Sequence, residues 1–263
     1  VRGNFDDAQT GVKTLFSDVS LREELAARGY FLSSANSINW GRVLPQIVYY
    51  VSAYCDLVTA EQITMGEKVD VCVPTGNFGN ILAAYYARCM GVPIRRLVCA
   101  SNANNVLTDF LTTGTYDRNR PFYQTASPSM DILISSNLER LLYLLSGSDE
   151  AVRGYMAQLA ETGHYTVSAE IKNAIQSVFS CGFCDDAGTE AMIGEEYKRS
   201  GYLLDTHTAV AYRVAEQFRR ADGSGTPMIV ASTASPFKFC ASVLDALGCR
   251  EHRNGTAIIG QLA

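Results

Sequence analysis

Val69-Asp-Val-Cys-Val73 runs into Pro74-Thr-Gly-Asn-Phe-Gly-Asn80, and a helical pattern over residues 81–90 follows. Gly91-Val-Pro93 stops that pattern, and residues 94–100 return as a second apolar run. The order is strand, glycine loop, helix, strand. Such a βαβ unit needs a crossover between parallel strands, so the spacing predicts a sheet that is at least partly parallel. Downstream, Pro227-Met-Ile-Val-Ala231 reads as a buried strand, and Ser235-Pro236 supplies an N-cap with proline at the first helical position. The helix after it ends at Gly248, so a second strand, loop and helix unit closes the chain.

The remaining elements are helical. Residues 6–16 place Ala8, Val12 and Phe16 on one face. Ser20-x-x-Glu23 has the capping-box spacing and predicts a helix that Gly29 ends. A polar run over residues 33–39 then leads into residues 42–54. Residues 105–200 read as mostly helical, with Leu138, Leu141, Leu142 and Leu145 in an i, i+3, i+4, i+7 core stripe. Residues 208–220 carry Val210, Val214 and Phe218 on one face. No internal repeat or low-complexity tract interrupts this order.

With 263 residues, 47% hydrophobic, 19% charged and a net charge of −5, the composition is that of a globular chain with a sizeable core. No Lys/Arg cluster marks a nucleic-acid surface, and no apolar run of about 18 residues marks a membrane span. Eight cysteines are scattered, several within apolar runs such as Val71-Cys72-Val73 and Leu97-Val98-Cys99-Ala100. They read as buried free thiols in a reducing compartment, which places the expectation in the cytoplasm. Cys181-Gly-Phe-Cys184 has chelate spacing, but neither a second pair nor a nearby histidine completes it, so no metal site is predicted. The chain opens on Val1, and residues 1–9 read as the end of a strand running into a helix. That opening predicts a chain beginning inside a larger protein.

The loop Gly76-Asn-Phe-Gly79-Asn80 is the first candidate for chemistry. Glycines there allow a tight turn and a close approach to a ligand, and a helix start presents unpaired N–H groups to an anion. It matches neither G-x-G-x-x-G nor the P-loop, which needs Lys-Ser/Thr after the last glycine. On its residues alone it is either a phosphate site or a plain strand-to-helix turn. Asn36, Ser37, Asn39 and Arg42 offer amides, a hydroxyl and a guanidinium suited to a phosphate or carboxylate, and the alternative is a capped helix start with a surface arginine. Lys238 either assists an anion or is a solvated helix lysine. His207 lies at a helix start, His164 and His252 read as surface residues, and none is assigned as a general base.

Pro74-Thr-Gly-Asn-Phe-Gly-Asn80 resembles the phosphate loop of threonine synthases, which are fold type II pyridoxal-phosphate enzymes. Further stretches resemble the family in order: Gly3-Asn-Phe-Asp-Asp-Ala-Gln9, Ser34-Ala-Asn-Ser-Ile-Asn-Trp-Gly-Arg-Val-Leu-Pro-Gln46 and Ser101-Asn-Ala-Asn-Asn105. Ser127-Pro-Ser-Met-Asp131, Asp205-Thr-His-Thr-Ala-Val-Ala-Tyr212 and Ser232-Thr-Ala-Ser-Pro-Phe-Lys-Phe239 complete the set. The resemblance implies an α/β fold like that of the tryptophan synthase β chain, a sheet flanked by helices with an incomplete small domain at the N-terminus. It implies that residues 1–40 are a remnant of that domain and its connector. Residues 41–263 would then be the larger phosphate-binding domain, cut short at its C-terminal end.

The resemblance also implies a reaction, in which O-phospho-L-homoserine and water give L-threonine and phosphate, with pyridoxal 5′-phosphate as cofactor. Gly76, Asn77, Phe78, Gly79 and Asn80 would hold the cofactor phosphate, and Thr233 the pyridine nitrogen. Asn36, Ser37, Asn39, Arg42 and Lys238 would face the substrate. The family's Phe-Lys-Asp lysine, which holds the cofactor covalently, has no counterpart among Lys13, Lys68, Lys172, Lys198 and Lys238. It is expected upstream of Val1, together with a Ser-Gly-Asp/Asn-Thr-Gly loop, so no catalytic residue is assigned here. The missing N-terminal part is then an expected partner, and apolar surface left uncovered makes a homo-oligomer possible. Two alternatives stay open. One is a non-catalytic phosphate-binding fragment; the other is a related enzyme such as a serine/threonine dehydratase or cysteine synthase.

Overall fold

The computed structural model describes residues 5–34, 36 and 39–263. Helices α1 (Phe5–Ser17), α2 (Val19–Ala27), α3 (Trp40–Val43) and α4 (Gln46–Thr59) precede strand β1 (Val69–Pro74), helix α5 (Gly79–Cys89) and strand β2 (Ile94–Ser101). Then come α6 (Val106–Thr113), β3 (Thr115–Asp117), α7 (Leu138–Ser146), α8 (Asp149–Thr162), β4 (His164–Thr166), α9 (Ala169–Val178) and β5 (Phe179–Phe183). The chain ends with α10 (Asp186–Ser200), α11 (Thr206–Asp222), β6 (Met228–Val230), α12 (Cys240–Ala246) and α13 (Ala257–Leu262).

The main sheet has the order β5-β2-β1-β6 and every pairing is parallel, as the βαβ reading requires. All six residues of β1 are buried, and successive side chains enter different cores. Val71 and Val73 pack with apolar residues of α4, α5, α6 and α9. Cys72 packs on the opposite face with Val210, Ala211 and Val214 of α11. Because helices cover both faces, the strand reads as a continuous apolar run rather than an alternating one. The leucine stripe of α7 is core: Leu138, Leu141 and Leu142 are buried, and Leu145 packs against them.

Several expectations are corrected. Strands β3, β4 and β5 interrupt the region read as mostly helical. β3 and β4 form an antiparallel pair whose Tyr116 and Tyr165 rings stack 5.4 Å apart; at three residues each they are too short to carry a period. Pairing with β1 alone makes β6 an edge strand, and it is half-buried rather than buried. Pro45 stands between α3 and α4, as the N-cap of α4. The cap of α2 is Asp18, whose carboxylate accepts from Leu21 N–H at 3.0 Å, and Ser20 donates its hydroxyl to that carboxylate instead of capping. The expected face of α1 forms but is not covered, since Val12 is exposed and Ala8 and Phe16 are half-buried.

Cys72, Cys99, Cys184 and Cys240 are buried free thiols, whereas Cys55 and Cys89 are exposed. Cys181 and Cys184 point into the cores on opposite faces of the sheet. Strand alternation thus separates the two thiols, and no metal-binding cluster occurs among the described residues. No described helix is long and apolar enough to cross a membrane.

At the amino ends of the strands, Asp70 is 1% exposed inside β1. Its carboxylate accepts from Arg95 Nε at 3.0 Å and from Arg96 N–H at 3.1 Å. Arg95 also pairs with Asp222 at the end of α11, 2.7 Å away, so one guanidinium ties the helix to two strands. Hydrogen bonds from Arg95 and Ser224 pull the Asp222 carboxyl down to about 2. A depressed carboxyl stabilises the fold above its ordinary pKa near 3.8 and loses that contribution as pH falls toward 2. Replacing Arg95 by Leu strands a buried carboxylate, so urea unfolding at neutral pH should show a loss of about 3 kcal/mol. The Asp222-dependent part of the acid sensitivity between pH 4 and 2 should vanish in the same variant.

Candidate functional site

At the opposite, carboxyl ends of β1 and β6 lies a cleft of about 330 Å³. Strand ends of this kind are where parallel sheets meet ligands. The cleft brings together the whole 76–80 loop, Thr233 after β6, Arg42 in α3, Lys238 and Asn36, from three separate parts of the sequence. Asn39 does not line it. That side chain is engaged as the N-cap of α3, accepting from Gly41 N–H at 2.9 Å and donating to Ser34 O at 3.0 Å. Ser37, and residues 3 and 4 of the Gly3–Gln9 run, lie outside the described residues.

The loop turns through Phe78, which sits in the left-handed region at φ 61° directly before α5. A non-glycine residue there costs roughly 1 kcal/mol. Burial of its ring against Phe179, 5.7 Å away, offsets that strain. Gly76 meets a different constraint, because a Cβ there would fall 2.6 Å from Ser129 O and 3.2 Å from Met130 Cα, both main-chain atoms. Among the described residues, no protein acceptor takes the N–H groups of Gly76, Asn77, Phe78, Gly79 or Asn80. These donors gather at the positive end of an eleven-residue helix, an arrangement suited to a phosphate dianion.

The wall facing Gly76 is a 3-10 turn, Pro128–Met130, and buried polar groups hold it from two sides. Behind it, Asp131 accepts from Asn102 Nδ2 at 2.8 Å, Asn104 Nδ2 at 3.0 Å and Thr125 Oγ1 at 2.7 Å. From the front, His207 Nε2 accepts the Ser129 N–H at 3.2 Å. That bond fixes Nε2 as the lone-pair nitrogen and leaves the proton on Nδ1, 3.3 Å from Asp205 Oδ1. Burial alone would raise the Asp205 carboxyl, but bonds from His207 and Thr208 outweigh it and hold the carboxyl below its usual value. His207 is therefore more than a cap neighbour, since it is buried in the cleft lining and pins the opposite wall. Its position at a helix start carried no signal of this, because its partner is 78 residues away. His164 is exposed as read, and His252 pairs with Asp245 at 3.2 Å.

The cleft is not lined by donors alone. Gln46 Oε1 is a buried acceptor without a hydrogen-bond partner among the described residues. A bound group carrying an O–H or N–H can satisfy it. Thr233 brings an exposed hydroxyl, and Arg42 and Lys238 bring positive charge.

Residues 208–257 match the family described as threonine synthase, C-terminal. Threonine synthase-like 1 of Macaca fascicularis is 48% identical over 254 residues, which cover 95% of this chain and 34% of that protein. The threonine synthase of Pseudomonas aeruginosa is 38% identical over 244 residues, covering 92% of this chain and 49% of its own length. The crystal structure of PLP-bound threonine synthase from Brucella melitensis matches with a TM-score of 0.81 at 41% identity, over 98% of this chain and 53% of that one. The chain is a threonine synthase homologue. It spans between a third and about half of the length of these relatives. The fold of this homologue is that of the fold type II pyridoxal-phosphate enzymes, as its loop and motif order implied.

The close approach at Gly76 gives the first test of the cleft. Gly76→Ala should weaken inorganic phosphate binding at least tenfold and lower stability by about 1–3 kcal/mol, since neither main-chain neighbour can give way cheaply. Isothermal titration with phosphate and urea unfolding measure the two effects.

Proposed function

We propose that the 76–80 loop holds the phosphate of pyridoxal 5′-phosphate and that Thr233 meets its pyridine nitrogen. We further propose that the protein serves the conversion of O-phospho-L-homoserine and water to L-threonine and phosphate. The observation that carries the reading is the set of five loop N–H groups at a helix start, unpartnered among the described residues and in one cleft with Thr233. The homology to threonine synthases supports the choice of reaction. When bound, the cofactor supplies an electron sink for carbanions of the substrate, which no side chain provides.

The chain's own residues bind and orient. A threonine hydroxyl at the ring nitrogen cannot stabilise a protonated ring as a carboxylate does, so the ring stays largely neutral. Arg42 and Lys238 suit the phosphate and carboxylate of the substrate, and Asn36 adds an amide. Asn39 acts at one remove, by capping the short helix that carries Arg42.

A second reading is phosphate binding without threonine formation by this chain. It is favoured by the lysines: of the five, only Lys238 lines the cleft, and it lies within the Ser232–Phe239 motif. The chain alone is then expected to bind the cofactor weakly and non-covalently. Borohydride reduction in the presence of pyridoxal 5′-phosphate, followed by peptide mapping, should find no stoichiometric pyridoxyl lysine. A single fully labelled lysine overturns that expectation.

In a protein that makes threonine, Thr233→Val removes one hydrogen bond and keeps the branched shape. At roughly 0.5–1.5 kcal/mol for such a bond, cofactor affinity should fall tenfold or less. Turnover should fall further if ring orientation matters in the transition state. Unchanged affinity and turnover would make Thr233 structural.

A further inference from the structure

The 76–80 loop carries no formal charge, yet the reading above asks it to prefer an anion. An amide-rich loop has as many oxygens as N–H groups, and exposed oxygens repel phosphate as strongly as donors attract it. Here the oxygens are used up. Gly76 O accepts the Ser135 hydroxyl at 2.9 Å. Asn77 O accepts Asn137 N–H at 3.1 Å and Asn137 Nδ2 at 2.8 Å. The Asn77 amide oxygen accepts the Ser136 hydroxyl at 3.2 Å. The Asn80 amide oxygen accepts the Tyr50 hydroxyl at 2.6 Å. The nitrogens are not used: among the described residues, neither Asn77 Nδ2 nor Asn80 Nδ2 meets a protein acceptor.

We infer that Tyr50 and the Ser135-Ser136-Asn137 turn are positioning residues that make this loop a donor-only surface, selective for a phosphate ester or phosphate anion. The inference rests on the proposed phosphate role of the loop and says what enforces it. An asparagine amide can rotate to present either end, and the two ends differ little in shape. Each hydroxyl, by donating to the oxygen, holds the amide of a cleft-lining residue with its NH2 clear of protein acceptors among the described residues. Tyr50 is 3% exposed, and burial raises its phenol far above the ordinary value, so it remains a donor at every physiological pH. Ser135 and Asn137 are buried and Ser136 is half-buried, so water competes little for the remaining oxygens.

The test compares Tyr50→Phe with wild type in titrations against inorganic phosphate, pyridoxal 5′-phosphate and unphosphorylated pyridoxal. Phe keeps the ring and removes only the donor, so melting should show a folded protein. Both phosphate ligands should weaken about tenfold, while pyridoxal changes less than twofold. Asn80→Ala supplies the decisive background. Once the amide is gone, Tyr50→Phe should cost no further phosphate affinity, because the hydroxyl acts only through that amide. Ser136→Ala, at a half-buried site, should give a similar selective loss through Asn77. An unchanged phosphate affinity in Tyr50→Phe overturns the inference, as does an equal loss in the presence and absence of Asn80. Failure of the wild-type protein to bind either phosphate ligand overturns the reading of the loop itself, and the inference with it.

Discussion

The cleft exists because two stretches of main chain, Gly76 and Ser129–Met130, approach closer than any side chain would permit. That contact brings the start of α5 against the Pro128–Met130 turn, and the structure around it is arranged to keep it. His207 pins the turn from the α11 side through Ser129 N–H. The Asn102, Asn104, Thr125 and Asp131 cluster pins it from behind. The Ser135 hydroxyl then closes on the carbonyl of Gly76 itself. Buried polar groups of this kind hold a defined geometry only when each has a partner, and here each has one.

The two ends of the sheet divide the electrostatic work. At the amino ends, Arg95 pairs with both Asp70 and Asp222 and locks α11 to the strands. At the carboxyl ends, the positive character comes from helix geometry and oriented amides, with Arg42 and Lys238 at the margins. A site built from backbone donors needs no lysine or arginine at its centre and carries no charge that burial would penalise. In the proposed reading, this is how a chain of net charge −5 offers a surface to an anion.

The relatives bear on how the site is used. Threonine synthases at 38% identity and threonine synthase-like 1 at 48% share this part of their length with the chain. Among this chain's lysines only Lys238 lines the cleft.

The order of β1, the glycine loop, α5 and β2 was legible in the sequence because its signals are local: apolar runs, turn residues and a stop at Gly91-Val-Pro93. The same holds for the 76–80 turn between β1 and α5 and for the Ser235 cap, which accepts from Phe237 N–H. Three-residue strands left no period to read. The edge position of β6 was hidden because strand order is set by pairing partners far away in sequence. At the site, sequence named the loop, Thr233, Arg42 and Lys238, and tertiary structure decided that they share one cleft while Asn39 serves as a cap. It alone revealed Tyr50, Ser129 and His207 as parts of that cleft and its support. Their hydrogen-bond partners lie 30 and 78 residues away, and a donor's direction is fixed by packing, which no local pattern encodes.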